Sequence, residues 1–372
     1  MTILLKRPLL FLGILLFGLS FAIRFQIYEF NNGDMVLLQG WYDHLRLNGW
    51  AGLADESFSN YPPAYLYLLW LSTLLPNWLG STFAIKLIPT LFDMLSAFTI
   101  FRMARLHYDV DKSIFYAANF FILPTIMFNS TGWGQIESLY TSFLLVCVYL
   151  LLRDEPFWAL VAYGLAFSFK AQSIFLLPFL GIMLLKGRIR WAHFLLIPII
   201  YFVLGIPAAW VGRSWESILS IYVGQVGQFR GLSMNAPNLY IFIPNSFYEP
   251  GVLVGMGVFL VSLGIWGWTN WRARIALTQR QIVLMALTVL VLVPFTLPKM
   301  HDRYFYPADV FSYALFVFAP EMWFVPLLYQ FVSGISYMAF LFGASIGFVM
   351  VAALINTGIV IYILRKQVLS LR

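Results

Sequence analysis

Charge is what this chain has least of. Only 10% of its 372 residues are Asp, Glu, Lys or Arg, against 61% hydrophobic residues and a mean hydropathy of +0.82. Apolar runs recur from one end to the other, so the chain reads as a polytopic membrane protein with no soluble domain left over. Cysteine is nearly absent. The single Cys147 stands inside an apolar run, which excludes an intramolecular disulfide, a cysteine-based metal site and a redox pair. There is no glycine-rich phosphate loop of the nucleotide type and no convincing internal repeat, and the missing repeat weakens a transporter built from inverted halves. No small-residue cleavage pattern follows the first apolar run, residues 8–23, so despite Lys6-Arg7 in front it reads as a retained helix. The net charge of +7 suggests nucleic acid only until the basic residues are located. They lie in short turns between apolar runs, where they mark topology, and no nucleic-acid partner is expected.

The apolar runs predict helices at 8–23, 82–101, 113–130, 136–152, 157–170, 173–185, 191–211, 251–269, 281–298, 304–320, 323–341 and 344–364. That is a single all-α integral membrane domain, 1–372, of about 11–13 spans. Orientation follows from Lys6/Arg7, Arg102/Arg105/Lys112, Arg153, Lys186/Arg188/Arg190, Arg272/Arg274/Arg280 and Arg365/Lys366/Arg372. Placed together inside, these are fifteen of the twenty-three basic residues, as the positive-inside rule prefers. Residues 64–75, between Pro62-Pro63 and Pro76-Asn77, are too few for a span. They read as a re-entrant or interfacial helix within a first outer loop, 24–81. The short runs 157–170 and 173–185 read as a helical hairpin with Lys170-Ala171-Gln172 at its tip. A second large outer loop occupies 212–247 and includes Asn235. The outer side thereby receives the Asp34 loop, Gly132-Trp133-Gly134-Gln135-Ile136-Glu137, the Lys170/Gln172 tip, the 212–247 loop and Lys299-Met300-His301-Asp302-Arg303-Tyr304, and a site is expected there.

The first loop concentrates scarce carboxylates, Asp34, Asp43, Asp55 and Glu56, among aromatic residues. Asp34 suits a general base acting on an acceptor hydroxyl, although by type alone it reads more readily as a solvated carboxylate or as a cap on a helix beginning near Met35. Asp43 and Glu56, with Trp41, Tyr42 and Tyr61, fit the lining of a sugar pocket, but Trp and Tyr are also ordinary residues of a membrane interface. Lys299, His301 and Arg303 place three potential cations within five residues on the side where the charge rule disfavours them. A phosphate would explain that cluster, the alternative being an ordinary juxtamembrane charge patch. Lys170 is costly near a membrane unless paired, hydrated or on a ligand phosphate, or it snorkels to the interface. Lys86 and Asp93 stand two turns apart on one predicted helix. Each would cost about 2.5–3.5 kcal/mol at mid-membrane on the insertion scale, so both are expected to face the bundle interior and find partners there. Glu137 reads as a sugar-binding carboxylate or as a favourable charge at a helix start. No tight His/carboxylate spacing calls for a metal.

Gly33-Asp34 with Trp41-Tyr42, the Tyr61-Pro62-Pro63 turn, Lys86 with Asp93, Gly132-Trp133-Gly134-Gln135, Phe169-Lys170-Ala171-Gln172 and Met300-His301-Asp302-Arg303-Tyr304 occur in an order that resembles bacterial membrane mannosyltransferase-like proteins. These are related to the second mannosyltransferase of GPI-anchor synthesis, in the GT-C glycosyltransferase superfamily. The resemblance runs from about residue 30 to 310. It implies a multi-helix enzyme of the bacterial inner membrane, working on the periplasmic side without a cofactor or metal. The donor would be a polyprenyl-phosphate-linked monosaccharide, a hexose such as mannose. The acceptor would be a hydroxyl of a glycan, glycolipid or protein, with membrane lipids around both. Asp34 then takes the role of base. Lys170, His301, Arg303 and Lys299 serve the donor phosphate, and Asp43, Trp41, Tyr42, Glu56, Tyr61, Gln135, Glu137, Gln172 and Asn235 meet sugar or acceptor. The chain departs from the family pattern in having Glu137 two positions beyond Gln135 where an Asp is usual, and Asp302 in place of Glu. The rival reading from another class is a transporter or lipid flippase for a phosphate-containing substrate or glycolipid.

Overall fold

The computed structural model describes residues 7–225 and 227–371. Lys6 and Arg372, two of the basic residues used for orientation, lie outside the described residues. Among the described residues regular structure is helical except for two strands of two residues each, and the protein is an all-α polytopic membrane protein. Seven described helices are long and apolar enough to cross a membrane: Pro8–Ile27, Asn77–Ala104, Trp191–Trp210, Asn245–Arg272, Gln279–Thr296, Pro320–Phe342 and Ile346–Ser370. Val110–Phe121 with Pro124–Trp133 makes an eighth if this pair, bent by 57°, is one span. Glu137–Leu152, Pro156–Phe169 and Ala171–Leu185 are apolar but shorter. The expected 11–13 spans thus divide into full-length and short ones. Counting apolar runs alone cannot separate them, because turns and bends interrupt the apolar sequence without making it polar.

The helices gather into two compact units. The first comprises Met1–Cys147, Phe157–Ser173 and Ala192–Gln228. In it Pro8–Ile27 and Gly80–Ala104 both pack on Val110–Phe121, and Gly33–Asn48 lies against Gly80–Ala104 and Pro63–Ser72. Residues 24–81 hold more regular structure than a loop. The first helix runs on to Ile27, and the stretch around Asp34 is the helix Gly33–Asn48. Its start is set by Asn32, whose side chain accepts from the backbone N–H of Asp34 and of Met35 at 3.0 and 3.2 Å, and Asp34 in the first turn complements the helix dipole. Met35, Leu38, Trp41, Tyr42 and Leu45 form its buried stripe, and Gly49, at φ 60°, ends it.

The second unit comprises Val148–Pro156, Ile174–Trp191 and Phe229–Arg372. Gln279–Thr296 is its axis. Of its apolar stretch 83% is buried, against 11% for Asn245–Arg272. A helix apolar all round belongs in the interior, and one apolar on an exposed face belongs against lipid. Side-chain hydrogen bonds join the outer helices, with the Trp266 indole donating to Gln367 at 3.1 Å and Gln367 donating to Asn270 at 2.6 Å, as polar residues do between membrane helices.

Candidate active site

In the first unit two distant motifs meet at one carboxylate. The Asp34 Oδ2 accepts from the Trp133 indole N–H at 3.0 Å and from the Gln135 side-chain amide at 2.6 Å. The helix cap joins in, Asn32 donating to the Trp133 carbonyl at 3.1 Å. A π-helical turn, Phe128–Trp133, aims these donors, and it closes on Gly134 at φ 83°, a left-handed conformation. Such turns are rare in helices and recur at functional sites. Gly134 supplies that conformation, and a Cβ there would come to 3.0 Å from Met35 Sδ, which would have to shift. Gly134→Ala is expected to lose about 1–2 kcal/mol of stability from the backbone alone and to loosen the hold of Trp133 and Gln135 on Asp34. Thermal unfolding in detergent, with an unchanged midpoint, would sink that argument.

Behind the turn lies an ionic network with almost no exposure. The Lys86 ammonium donates to the carbonyls of Tyr28, at 2.8 Å, of Gly132, at 2.6 Å, and of Phe30, tying the end of the first helix to the turn. Arg24 and Asp93 pair at 2.9 Å, both buried. The Arg24 guanidinium also donates to Ser130 Oγ at 2.9 Å, to Thr131 Oγ1 at 2.7 Å and to the Phe121 carbonyl at 3.1 Å, and it lies 4.2 Å over the Phe121 ring. Ser130 bonds Asp93 as well. Lys86 and Asp93 face the interior with partners, as expected. The partner of Asp93 is Arg24, a residue that sequence reasoning missed; its only signal was an arginine at the end of an otherwise apolar helix.

The remaining candidates of this unit fall in three places. Glu137 and Lys170, given separate roles from the sequence, form one buried ion pair, with the Lys170 ammonium 5.9 Å from the Tyr140 ring centre. Gln172 follows in the 3-10 turn Ala171–Leu176. Trp41 and Tyr42 point inward, 4% and 2% exposed, and the Trp41 ring meets Tyr61 edge-on at 5.0 Å, whereas Asp43 is exposed. Glu56 accepts from the Ser214 backbone N–H at 2.8 Å. Hydrogen bonds from Ser214, side chain first and then backbone, hold its carboxyl below the usual carboxylate range. Asp55, lowered by hydrogen bonds from Ser57, and His44, stacked on Phe58 at 4.2 Å, shape the same turn.

The cation cluster belongs to the second unit. Ser233–Met234 and Met300–His301 run parallel, with Ser233 opposite Met300 and Met234 opposite His301, and Asn235 bridges to His301. Asn235 and Lys299 both have positive φ, 55° and 66°, an uncommon conformation away from glycine. The Lys299 N–H is tied to the Leu232 carbonyl at 2.8 Å. The His301 ring lies between Phe229, centroid to centroid 4.8 Å, and Tyr304, 5.2 Å. Buried Asp302 accepts from the Arg303 backbone N–H at 2.8 Å and stands 3.5 Å from its guanidinium. Asp302, in sequence only a shortened carboxylate, thus positions Arg303.

Fold and site together define a polytopic membrane protein with an oriented carboxylate and a separately built cation turn. The chain belongs to glycosyltransferase family 87, whose family model matches residues 58–298, and the protein is a membrane glycosyltransferase. A search of curated proteins returned no match. The family match decides between the enzyme and the transporter in favour of the enzyme. It includes Gln135, Glu137 and Lys170, and it stops short of Asp34 on one side and of Lys299, His301 and Arg303 on the other.

Proposed function

We propose that this enzyme is of GT-C type and transfers a hexose, mannose being the first candidate, from a polyprenyl-phosphate-linked donor to an acceptor hydroxyl on the extracytoplasmic side of a bacterial inner membrane. The observation that carries the proposal is the Asp34 carboxylate held by Trp133 and Gln135. Two N–H donors on one oxygen fix the direction of the carboxylate, as a base must be fixed relative to the proton it takes. The acceptor oxygen forms a bond to the anomeric carbon while its proton passes to Asp34. The bond from that carbon to the phosphate oxygen breaks, and polyprenyl phosphate leaves with inversion. Charge grows on the leaving phosphate, and Lys299, His301 and Arg303 are assigned to stabilise it, since preorganised cations act most where charge develops. Lys170, held in place by its pair with Glu137, is assigned as a supporting cation for the donor phosphate. The lipid-linked sugar is a substrate, and no cofactor takes part.

The test is transfer from a panel of radiolabelled polyprenyl-phosphate sugars by the purified enzyme, which also identifies the sugar. Arg303→Ala is expected to weaken donor binding by roughly 10- to 100-fold, the worth of a charge-assisted hydrogen bond. Unchanged donor affinity in that variant would remove Arg303 from the phosphate site. No transfer with any donor across varied acceptors would overturn the reading.

A further inference from the structure

The first unit contains a cavity of about 590 Å³ that the Asp34 chemistry does not use, a size within the roughly 300–1,000 Å³ range of small-ligand sites. It lies between the turn Glu56–Asn60 and the helix Trp215–Gln225 with the residues just before it. Arg213 lines it and is 3% exposed, and its Nη1 has no hydrogen-bond partner among the described residues. Its Nε donates to Ser217 Oγ at 3.3 Å, and burial draws the guanidinium below the ordinary arginine value. A buried guanidinium N–H without a partner is costly, and an acceptor atom from outside the chain would satisfy it.

The lining decides what kind of acceptor atom. Two carboxylates, Glu56 and Glu216, border the same space as the cation Arg213, and Glu56 already accepts from the backbone N–H of Ser214, the residue just before the helix. A further anion would meet net repulsion. Apart from Gly224 and one aliphatic residue, Ile221, the rest of the wall is hydroxyl and amide, with Ser217, Ser220, Asn60 and Gln225 among them. Carboxylates and amide oxygens accept, guanidinium and amide N–H donate, and serine does both. A neutral polyol offers the matching mixture on every hydroxyl. The cavity is also tied to the catalytic helix. Asn60 precedes Tyr61, whose ring touches Trp41, and Trp41 stands two turns, about 10 Å, along the helix from Asp34.

We propose that this cavity binds the body of a neutral, extended oligosaccharide acceptor, held by Arg213 and Glu56, while the reacting end of that acceptor lies at Asp34. This deepens the preceding assignment and rests on it for the position of the reacting end, but the binding itself needs no turnover. The test uses the full-length protein in nanodiscs with no donor present. Binding of neutral two- to six-residue manno-, gluco-, galacto- and arabino-oligosaccharides is followed by saturation-transfer NMR, with inorganic phosphate and a uronic acid oligosaccharide as anionic probes. A neutral oligosaccharide is expected to bind wild type and Asp34→Asn alike, to bind Arg213→Gln about 10- to 100-fold more weakly, and to be excluded by Ser220→Trp, which fills the space. Thermal unfolding checks both cavity variants, and Ser220→Trp keeps the test decisive if Arg213→Gln misfolds. Preference for phosphate or uronate, absence of oligosaccharide binding to wild type, or binding indifferent to Ser220→Trp would each overturn the proposal. Loss of the base role for Asp34 with oligosaccharide binding intact would sink the chemistry and leave the cavity assignment standing.

Discussion

Asp34→Asn is expected to lower glycosyl transfer by roughly 10²- to 10⁴-fold, the usual contribution of a general base, while leaving donor binding and folding in place. The substitution is chosen for what it preserves. The asparagine carbonyl oxygen can still accept from Trp133 and Gln135, which bond a single oxygen of the native carboxylate, so the two donors keep a partner and only the ability to take a proton is lost. Asp34→Ala would confound the result by leaving buried donors unmatched. Asp43→Asn is the control. Asp43 lies on the same helix but is exposed, and a change there is expected to alter turnover by less than about tenfold on the same scale. Equal turnover by wild type and Asp34→Asn would remove Asp34 from the chemistry and turn attention to Glu56 and Glu137.

Removing either member of the buried Arg24–Asp93 pair is expected to cost about 3–5 kcal/mol of stability, because the remaining charge is left buried without its partner. Arg24→Leu strips the guanidinium from Ser130, Thr131 and the Phe121 carbonyl together. Asp93→Leu leaves Arg24 facing only neutral oxygens. The double variant, with both charges gone, is expected to cost less than the sum of the two single changes, since interacting residues are not additive. Unfolding in a detergent series measures all three, and strict additivity would refute the pairing. The same variants are expected to lose activity ahead of global unfolding. Ser130 and Thr131 belong to the turn that carries Trp133, so slack in the network passes directly to the grip on Asp34.

The candidate site was legible in parts. Gly33-Asp34 and Gly132-Trp133-Gly134-Gln135 stood out as polar residues in a chain with little polarity, and the structure joins them through two hydrogen bonds. Lys86 and Asp93 announced their own burial, because two charges on one apolar helix have nowhere cheap to go but inward. Arg24 did not, since an arginine near a helix end looks like an ordinary boundary residue. Arg213 was missed for a related reason. It follows an apolar run as an ordinary basic residue, and only its 3% exposure and an N–H unmatched among the described residues distinguish it. Lys170 and Glu137 carried separate roles until their side chains proved to be paired.

Composition and the recurrence of apolar runs were enough to determine a polytopic all-α membrane protein, because lipid leaves a backbone few ways to satisfy its polar groups and helices built from apolar residues are the cheapest. The order of the polar motifs also singled out the residues that are here assigned to glycosyl transfer. Which side chains pair was decided by tertiary structure alone. Pairing depends on contacts such as Asp34 with Trp133 and Arg24 with Asp93, separated by 99 and 69 positions in the chain. Those contacts form only when a π-turn, a left-handed glycine and a buried lysine fix the backbone between them. A sequence records which charges must be buried, and three-dimensional packing selects the partner that makes burial tolerable.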